Sequence, residues 1–352
     1  MNFIDLHCDT IYQLMKDENI HLRENNLTVS VEKMLKGGYL AQVFALFFDI
    51  DEHPDRFNWC NKMAERFHNE MEKNKDKIAI AKNYDDIIKN KNDNKMSAIL
   101  SIEEGGALEG KIENLKHFYD LGVRLITLTW NYKNEIGYPH CYKETTKNEI
   151  DNQHCYKNIT KNEIDYQDCY KETTKNNIIK TSSLGLTEFG VEVVQNMQNL
   201  GMIVDVSHLN DEGFQDVYEL SQKSNKPFVA SHSNARSITN HSRNLSDDMI
   251  KKLAQTGGVM GINFSSDFLK ENEEDYTKIE YMIEHINHIK KIGGIDVIAL
   301  GSDFDGIDSE VEIKDASQMM KLYDALKKEK YTEEEIEKIA YKNALRVIKD
   351  TL

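Results

Sequence analysis

No apolar run in this 352-residue sequence approaches the length of a membrane span, and its opening, MNFIDLHCDT, lacks the basic, apolar and small-residue succession of a signal peptide. Cysteine is scarce. Five of them, an odd number, make no disulfide framework, and no close C-x-x-C pair marks a structural zinc site. Positive charge is in deficit: 44 Lys and Arg stand against 60 Asp and Glu, a net −16, which argues against nucleic acid or an anionic membrane as partner. The expected setting is the cytoplasm, and the expected ligand a small neutral or zwitterionic molecule. With 39% hydrophobic residues the chain can build a sizeable core without staples.

One stretch is abundant in itself. KNEI stands at 133, 147 and 161, KNNI follows at 175, and Cys141, Cys155 and Cys169 keep the same 14-residue step. So short a unit, with Ile150 and Ile164 almost its only aliphatic residues, cannot stack into a solenoid. It reads as a tandem duplication inside a loop, at about 141–177 of a single domain spanning 1–352, irregular or weakly ordered. His140-Cys141 and His154-Cys155 suggest zinc, but the third copy has Asp168-Cys169, so the chemistry is expected elsewhere.

Outside the repeat, short apolar runs alternate with helical patterns. Strands are expected at 3–7, 41–48, 97–103, 124–130, 202–208, 227–232, 258–264 and 296–303. Amphipathic stretches lie between most of them, at 113–122, 187–201, 246–258 and 276–294, and a last helix opens on the capping box Thr332-x-x-Glu335. About eight strand–helix units with strands apolar on both faces predict an α/β fold, a parallel (β/α)8 TIM barrel. A doubly wound open sheet is the alternative, but it predicts a phosphate-binding glycine turn after the first strand, and DLHCDT is not one.

A barrel enzyme works at the C-terminal ends of its strands. Five of the eight expected strands end in a potential metal ligand. His7 and Asp9, two apart, face one way, with Cys8 in the core behind them. The third strand ends in EEGG; the fifth and sixth end in DVSH and ASHS, which place His208 and His232; the eighth ends in GSDFDG with Asp303. Packing alone explains one buried histidine, but three at equivalent strand ends beside acids suit a pair of divalent ions, zinc first. Such a pair acidifies a shared water and polarises a carbonyl, so hydrolysis is expected.

DLHCDT, EEGG, ITLTWN, GLTEFGVEVVQNMQNLGMIVDVSH, SHSNARSI, RNLSDD, GGVMGINF, HINHIKKIGGIDVIALGSDFDG and NALRV together resemble the membrane (renal) dipeptidase family of zinc peptidases, and they run in order over nearly the whole chain. The resemblance implies that His7 and Asp9 hold one metal, His208 and His232 the other, and that Glu104 bridges them. It selects Glu104 over Glu103 because the family's bridging acid stands directly before the two glycines. It further implies that Asp303 handles the proton of the bridging water and the substrate amine, with Asp305 a weaker candidate, and that Arg243 receives the substrate's terminal carboxylate. Two departures bear on activity. Trp130, followed by Asn131, stands at the substrate side where animal members carry a histidine, and Ser265 replaces a tyrosine found in some members. Tryptophan has one donor and no acceptor, so it cannot take over imidazole chemistry. His285 and His288 are expected to be structural, since helix bodies lie outside the barrel.

The resulting expectation is a binuclear metal-dependent dipeptidase acting on dipeptides, including those with a C-terminal D-residue. The expected partner is a small dipeptide, with no nucleic acid and no membrane, and a homodimer is the candidate assembly. The rival readings are a related amidohydrolase acting on another small amide or a lactam, and a catalytically silent metal-binding barrel.

Overall fold

The computed structural model describes residues 1–141, 184–271 and 276–352, so all of the repeat beyond Cys141 lies outside the described residues. In chain order the strands are β1 (Phe3–Asp5), β2 (Tyr39–Phe47), β3 (Ile78–Ile80), β4 (Met96–Glu103), β5 (Val123–Thr127), β6 (Ile203–Asp205), β7 (Val229–Ala230), β8 (Val259–Ile262), β9 (Tyr276–Thr277), β10 (Ile298–Leu300) and β11 (Glu310–Val311). The order β2-β1-β10-β8-β7-β6-β5-β4, with β2 also paired to β4, closes eight parallel strands into a ring. That is the (β/α)8 barrel. The sequence pattern does not single out β3, which joins the start of β4, nor the β9–β11 ribbon; each is only two or three residues long, too short for a period to register.

Alternation along the strands builds two apolar layers. Val43, Ile99, Leu125, Ile203, Val229, Val259 and Ala299, one from each of seven barrel strands, gather with Ala344, Val347 and Ile348 of the last helix, which plugs the end opposite the site. Their sequence neighbours Phe44, Leu100, Ile126, Val204, Ala230, Met260 and Ile298 pack in the larger core against the surrounding helices. The helix Glu188–Leu200 starts where the Thr187 side chain accepts the Gly190 N–H and stops at left-handed Gly201. The Thr332–Glu335 capping box forms as expected. The helix it opens is not uniform: it widens into a π turn at Lys338–Lys342. Just beyond, Asn343 faces the sheet and donates to Ile295 O and Ile298 O, both at 2.8 Å, a tertiary demand that helical periodicity does not encode.

Two glycines shape the catalytic end. A Cβ on Gly261 or Gly301 would meet the Ser231 carbonyl at 2.0 or 1.8 Å. Only glycine in β8 and just after β10 lets the end of β7 come this far inward, and that end carries His232.

Candidate metal centre

Extended backbone after β1 sends His7 and Asp9 to one side, with His7 Nε2 3.6 Å from Asp9 Oδ1, while Cys8 is buried in the outer core. His7 stacks on His232 with ring centroids 3.8 Å apart. His208, past the end of β6 at φ 66°, brings its Nε2 to 3.1 Å from His232 Nε2. Asp303, beyond β10 at φ 62°, sets Oδ1 3.8 Å from His7 Nε2, and its Oδ2 accepts a hydrogen bond from Asn263 Nδ2 at 2.8 Å. All five side chains are buried or nearly so. Left-handed non-glycine backbone is costly, and its concentration at these strand ends is typical of a site held by its surroundings.

The acid at the centre of this group is Glu103, not Glu104. Glu103 Oε1 lies 3.0 Å from His208 Nε2 and 3.3 Å from His232 Nε2, and Oε2 lies 3.0 Å from His7 Nε2. Strand alternation decides it: Ile99 belongs to the inner layer, Leu100 and Ile102 to the outer, so Glu103 falls on the inward parity and Glu104 does not. Glu104, at φ 96°, turns away and accepts from Gly106 N at 2.6 Å, Asn134 Nδ2 at 2.5 Å and Trp130 N at 2.8 Å. Burial pushes it up to about 7 against those donors. It fastens the loop after β5 instead of facing the imidazoles.

That loop carries two residues expected on the substrate side. Trp130 packs its ring 4.9 Å from Phe47 and 6.4 Å from His208. Asn131 lies behind the site, its Oδ1 3.0 Å from His208 Nδ1 and 3.2 Å from His140 Nε2. His140, known from the sequence only as part of a His-Cys pair, is thus drawn into the site's surroundings, with its backbone N–H on His208 O at 2.7 Å. Arg243 is buried, donates to Ser233 Oγ at 2.8 Å and lies 5.7 Å over the Phe268 ring. Asp305 is occupied elsewhere, accepting from Thr10 Oγ1, Thr28 N and Thr28 Oγ1 at 2.6–2.7 Å. Ser265 is buried with its N–H on Asn263 Oδ1. His285 and His288 sit on the helix Ile279–Gly293, where His285 bonds Ala235 N and Leu269 O, and His288 pairs with Asp247.

The donor set fits divalent metal. Burial and Arg243 lower His208 to about 3, and burial, then His7, hold His232 well below the usual histidine range, so both rings are neutral and able to act as ligands. Asn131 Oδ1 accepts from His208 Nδ1, which leaves a lone pair on Nε2 facing Glu103. Burial, and then Glu103, raise Asp9 to about 8. Burial would also raise Glu103, but His7 beside it holds it well below the carboxylate range. Burial would lower His7, but Glu103 and then Asp9 hold it well above the usual histidine range, so the converging lone pairs and carboxylates already gather around one positive charge, a place that a divalent cation can take over. Oxygen and imidazole ligands in this mixture suit zinc and its neighbours.

A cavity of about 230 Å³ opens beside Asp9, lined by Tyr12, Lys16, Phe47 and Asp308 among others. A larger cleft, about 380 Å³, lies among His21, Arg23, Glu70 and Lys73, away from the strand ends.

The family model for membrane dipeptidase, peptidase family M19, matches residues 1–154 and 157–352. The chain belongs to this family. It is therefore a metallopeptidase barrel of the dipeptidase type. A protein from the pqqA 5′ region of Klebsiella pneumoniae is 29% identical over 75% of this chain and 86% of its own length. A dipeptidase of Schizosaccharomyces pombe, described as uncharacterized, is 30% identical over 74% of this chain, which spans only 54% of that protein. In fold, the chain is similar to a metallopeptidase from Rhodobacter sphaeroides solved with a phosphinate mimic of the dipeptide L-Ala-D-Ala, at a TM-score of 0.82, 22% identity and coverage of 100% and 99% of the two chains. No helix among the described residues is long and apolar enough to cross a membrane.

Proposed function

We propose that this M19 peptidase hydrolyses the single peptide bond of dipeptides at a centre of two divalent ions, zinc first. The observation that carries the reading is the meeting of Glu103 with His7, His208 and His232 through both its oxygens. His7 and Asp9 would hold one ion, His208 and His232 the other, with Glu103 spanning both. Bound there, the ions supply an acidified water and electrophilic activation of the peptide carbonyl.

The protein's own groups do the rest. Asp303 is buried, and burial raises its carboxyl, so it can accept and return a proton at Oδ1 while Asn263 orients Oδ2. Arg243 pairs with the substrate's terminal carboxylate, a charge-assisted contact that limits the ligand to one residue beyond the scissile bond. The R. sphaeroides protein's ligand supports including dipeptides with a C-terminal D-residue. Trp130 adds an aromatic wall beside His208, where binding is by surface contact.

The test is zinc-loaded protein assayed against L,L- and L,D-dipeptides, their C-terminal amides and matched N-acyl amino acids. Dipeptides should be cleaved and their amides poorly. Arg243→Met should lower kcat/KM by roughly a hundredfold or more, chiefly through KM. Equal cleavage of dipeptide and amide by the parent defeats the carboxylate clamp, and cleavage of N-acyl amino acids alone favours another amidohydrolase.

A further inference from the structure

The same backbone device occurs twice in the barrel. At the end of β1, Asp5 Oδ1 accepts from His7 N at 3.3 Å and from Ser302 N at 2.9 Å, and Oδ2 accepts from Ser302 Oγ at 2.6 Å. At the end of β6, Asp205 Oδ1 accepts from Ser207 N at 3.0 Å and from Ser231 N at 2.8 Å, and Oδ2 accepts from Ser231 Oγ at 2.5 Å. In both, the serine lies two residues past the aspartate's partner on the next strand, Leu300 in one case and Val229 in the other. The copies differ in what the serine touches next. Ser302 Oγ reaches the His7 carbonyl at 3.4 Å and the Phe304 N–H at 3.1 Å. Ser231 Oγ reaches an imidazole, His232 Nδ1, at 2.6 Å.

Counting protons then decides the state of that ring. Four donors converge on Asp205, the fourth being Thr127 Oγ1 at 2.6 Å, so it acts as a carboxylate with no proton to give. A hydroxyl has one proton, and Ser231 places it on Asp205 Oδ2. Toward His232 the serine offers a lone pair. Ser207 Oγ, 3.3 Å from Ser231 Oγ, already accepts the His232 N–H at 3.1 Å and so is free to direct its own proton to Ser231. His232 Nδ1 must therefore carry a hydrogen, and its Nε2 lone pair faces Glu103 and His208.

We propose that Asp205 is a positioning residue of the metal centre, which acts through the Ser231 hydroxyl to hold His232 as the Nδ1–H tautomer before any metal arrives. The proposal rests on the reading of His232 as a metal ligand. Free neutral imidazole favours the opposite tautomer, and a histidine held by its second nitrogen binds metal more tightly.

Long-range 1H–15N correlation spectra of metal-free, 15N-histidine-labelled protein at pH 7.5 read the tautomer directly. His232 is expected as Nδ1–H in the parent. Ser231→Ala should move it toward Nε2–H and weaken zinc binding by roughly 10–100-fold. Ser231→Thr, which keeps the hydroxyl, should restore both. Ser302→Ala, in the twin device without an imidazole, should leave the His232 signals where they are. His232 found as Nε2–H in the parent overturns the proposal without any variant having to fold, as does an unchanged tautomer in a folded Ser231→Ala. A parent that shows the Nδ1–H tautomer and binds zinc, yet cleaves no dipeptide, overturns the dipeptidase reading and leaves this one standing.

Discussion

At the scale of single residues, two adjacent glutamates have opposite duties, and the difference is one step of strand parity. Glu103 touches three imidazoles, whereas Glu104 accepts three hydrogen bonds, two of them from the loop after β5 and one from Gly106 in its own turn. The paired variants should therefore separate. Glu103→Gln removes the charge between the two proposed metal positions, so bound zinc should fall and turnover should drop by roughly a hundredfold or more while the barrel stays folded. Glu104→Gln should keep its zinc and instead cost about 1–3 kcal/mol of stability, because an amide turned toward backbone N–H donors leaves some of them unpaired. Metal analysis and thermal melts of the two proteins decide between these outcomes; zinc loss confined to Glu104→Gln would return the bridge to that residue. The inward parity of Glu103 was legible in SAILSIE, where Ser97, Ser101 and Glu103 share one face against Ala98, Leu100 and Ile102. The two glycines point instead to Glu104, whose carboxylate the structure turns toward Gly106, Trp130 and Asn134.

Among the elements, the helix Ile279–Gly293 shows why a conspicuous histidine pair is not a site. His285 is wholly buried and neutral, taking the Ala235 N–H on Nδ1 and giving its Nε2 proton to Leu269 O, and burial lowers it to about 4. Its folded value lies below the ordinary 6.5, so the unfolded chain takes up a proton first as the medium is acidified. The stability tied to the neutral ring is complete above about pH 6.5 and is lost as the pH falls toward 4, by up to about 3 kcal/mol. Urea melts at pH 7.5 and 4.5 should show a smaller acid loss for His285→Gln than for the parent. An equal loss in both would assign the acid sensitivity to other groups. The helix itself was readable from its period, as was the Thr332–Glu335 box. The π turn before Asn343 was not, since the carbonyls it serves, Ile295 and Ile298, belong to a distant part of the chain.

On the scale of the whole molecule, the 14-residue repeat is attached beside the candidate metal centre. His140 N donates to His208 O, and Leu184 O, at the other end of the undescribed stretch, accepts from Asn210 Nδ2 at 2.8 Å. Position favours a part in the site, but composition argues against it: Lys, Asn, Thr and Glu dominate, and the units copy a piece already present at 133–141. Lengthening a loop costs only about 0.6 kcal/mol per doubling, so a fold tolerates such a duplication without benefit from it. Removing residues 141–168, which rejoins His140 to Cys169 and preserves the period, should leave zinc content intact and alter kcat/KM by less than roughly tenfold, or about 1.4 kcal/mol. A larger loss with fold and metal preserved would make the repeat part of the site.

The barrel, and four of the side chains that meet at its catalytic end, His7, Asp9, His208 and His232, could be read from the chain alone, because apolar period and strand length are local properties and a strand's last inward residue is where a barrel keeps its chemistry. What joins the strand ends to one another could not. That Asn131 and His140 stand behind His208, that Asp205 reaches His232 through Ser231, and that Gly261 and Gly301 admit the Ser231 carbonyl all depend on strands meeting sideways in a closed ring. Such contacts are set by register between segments far apart in sequence, and only the closed sheet supplies that register.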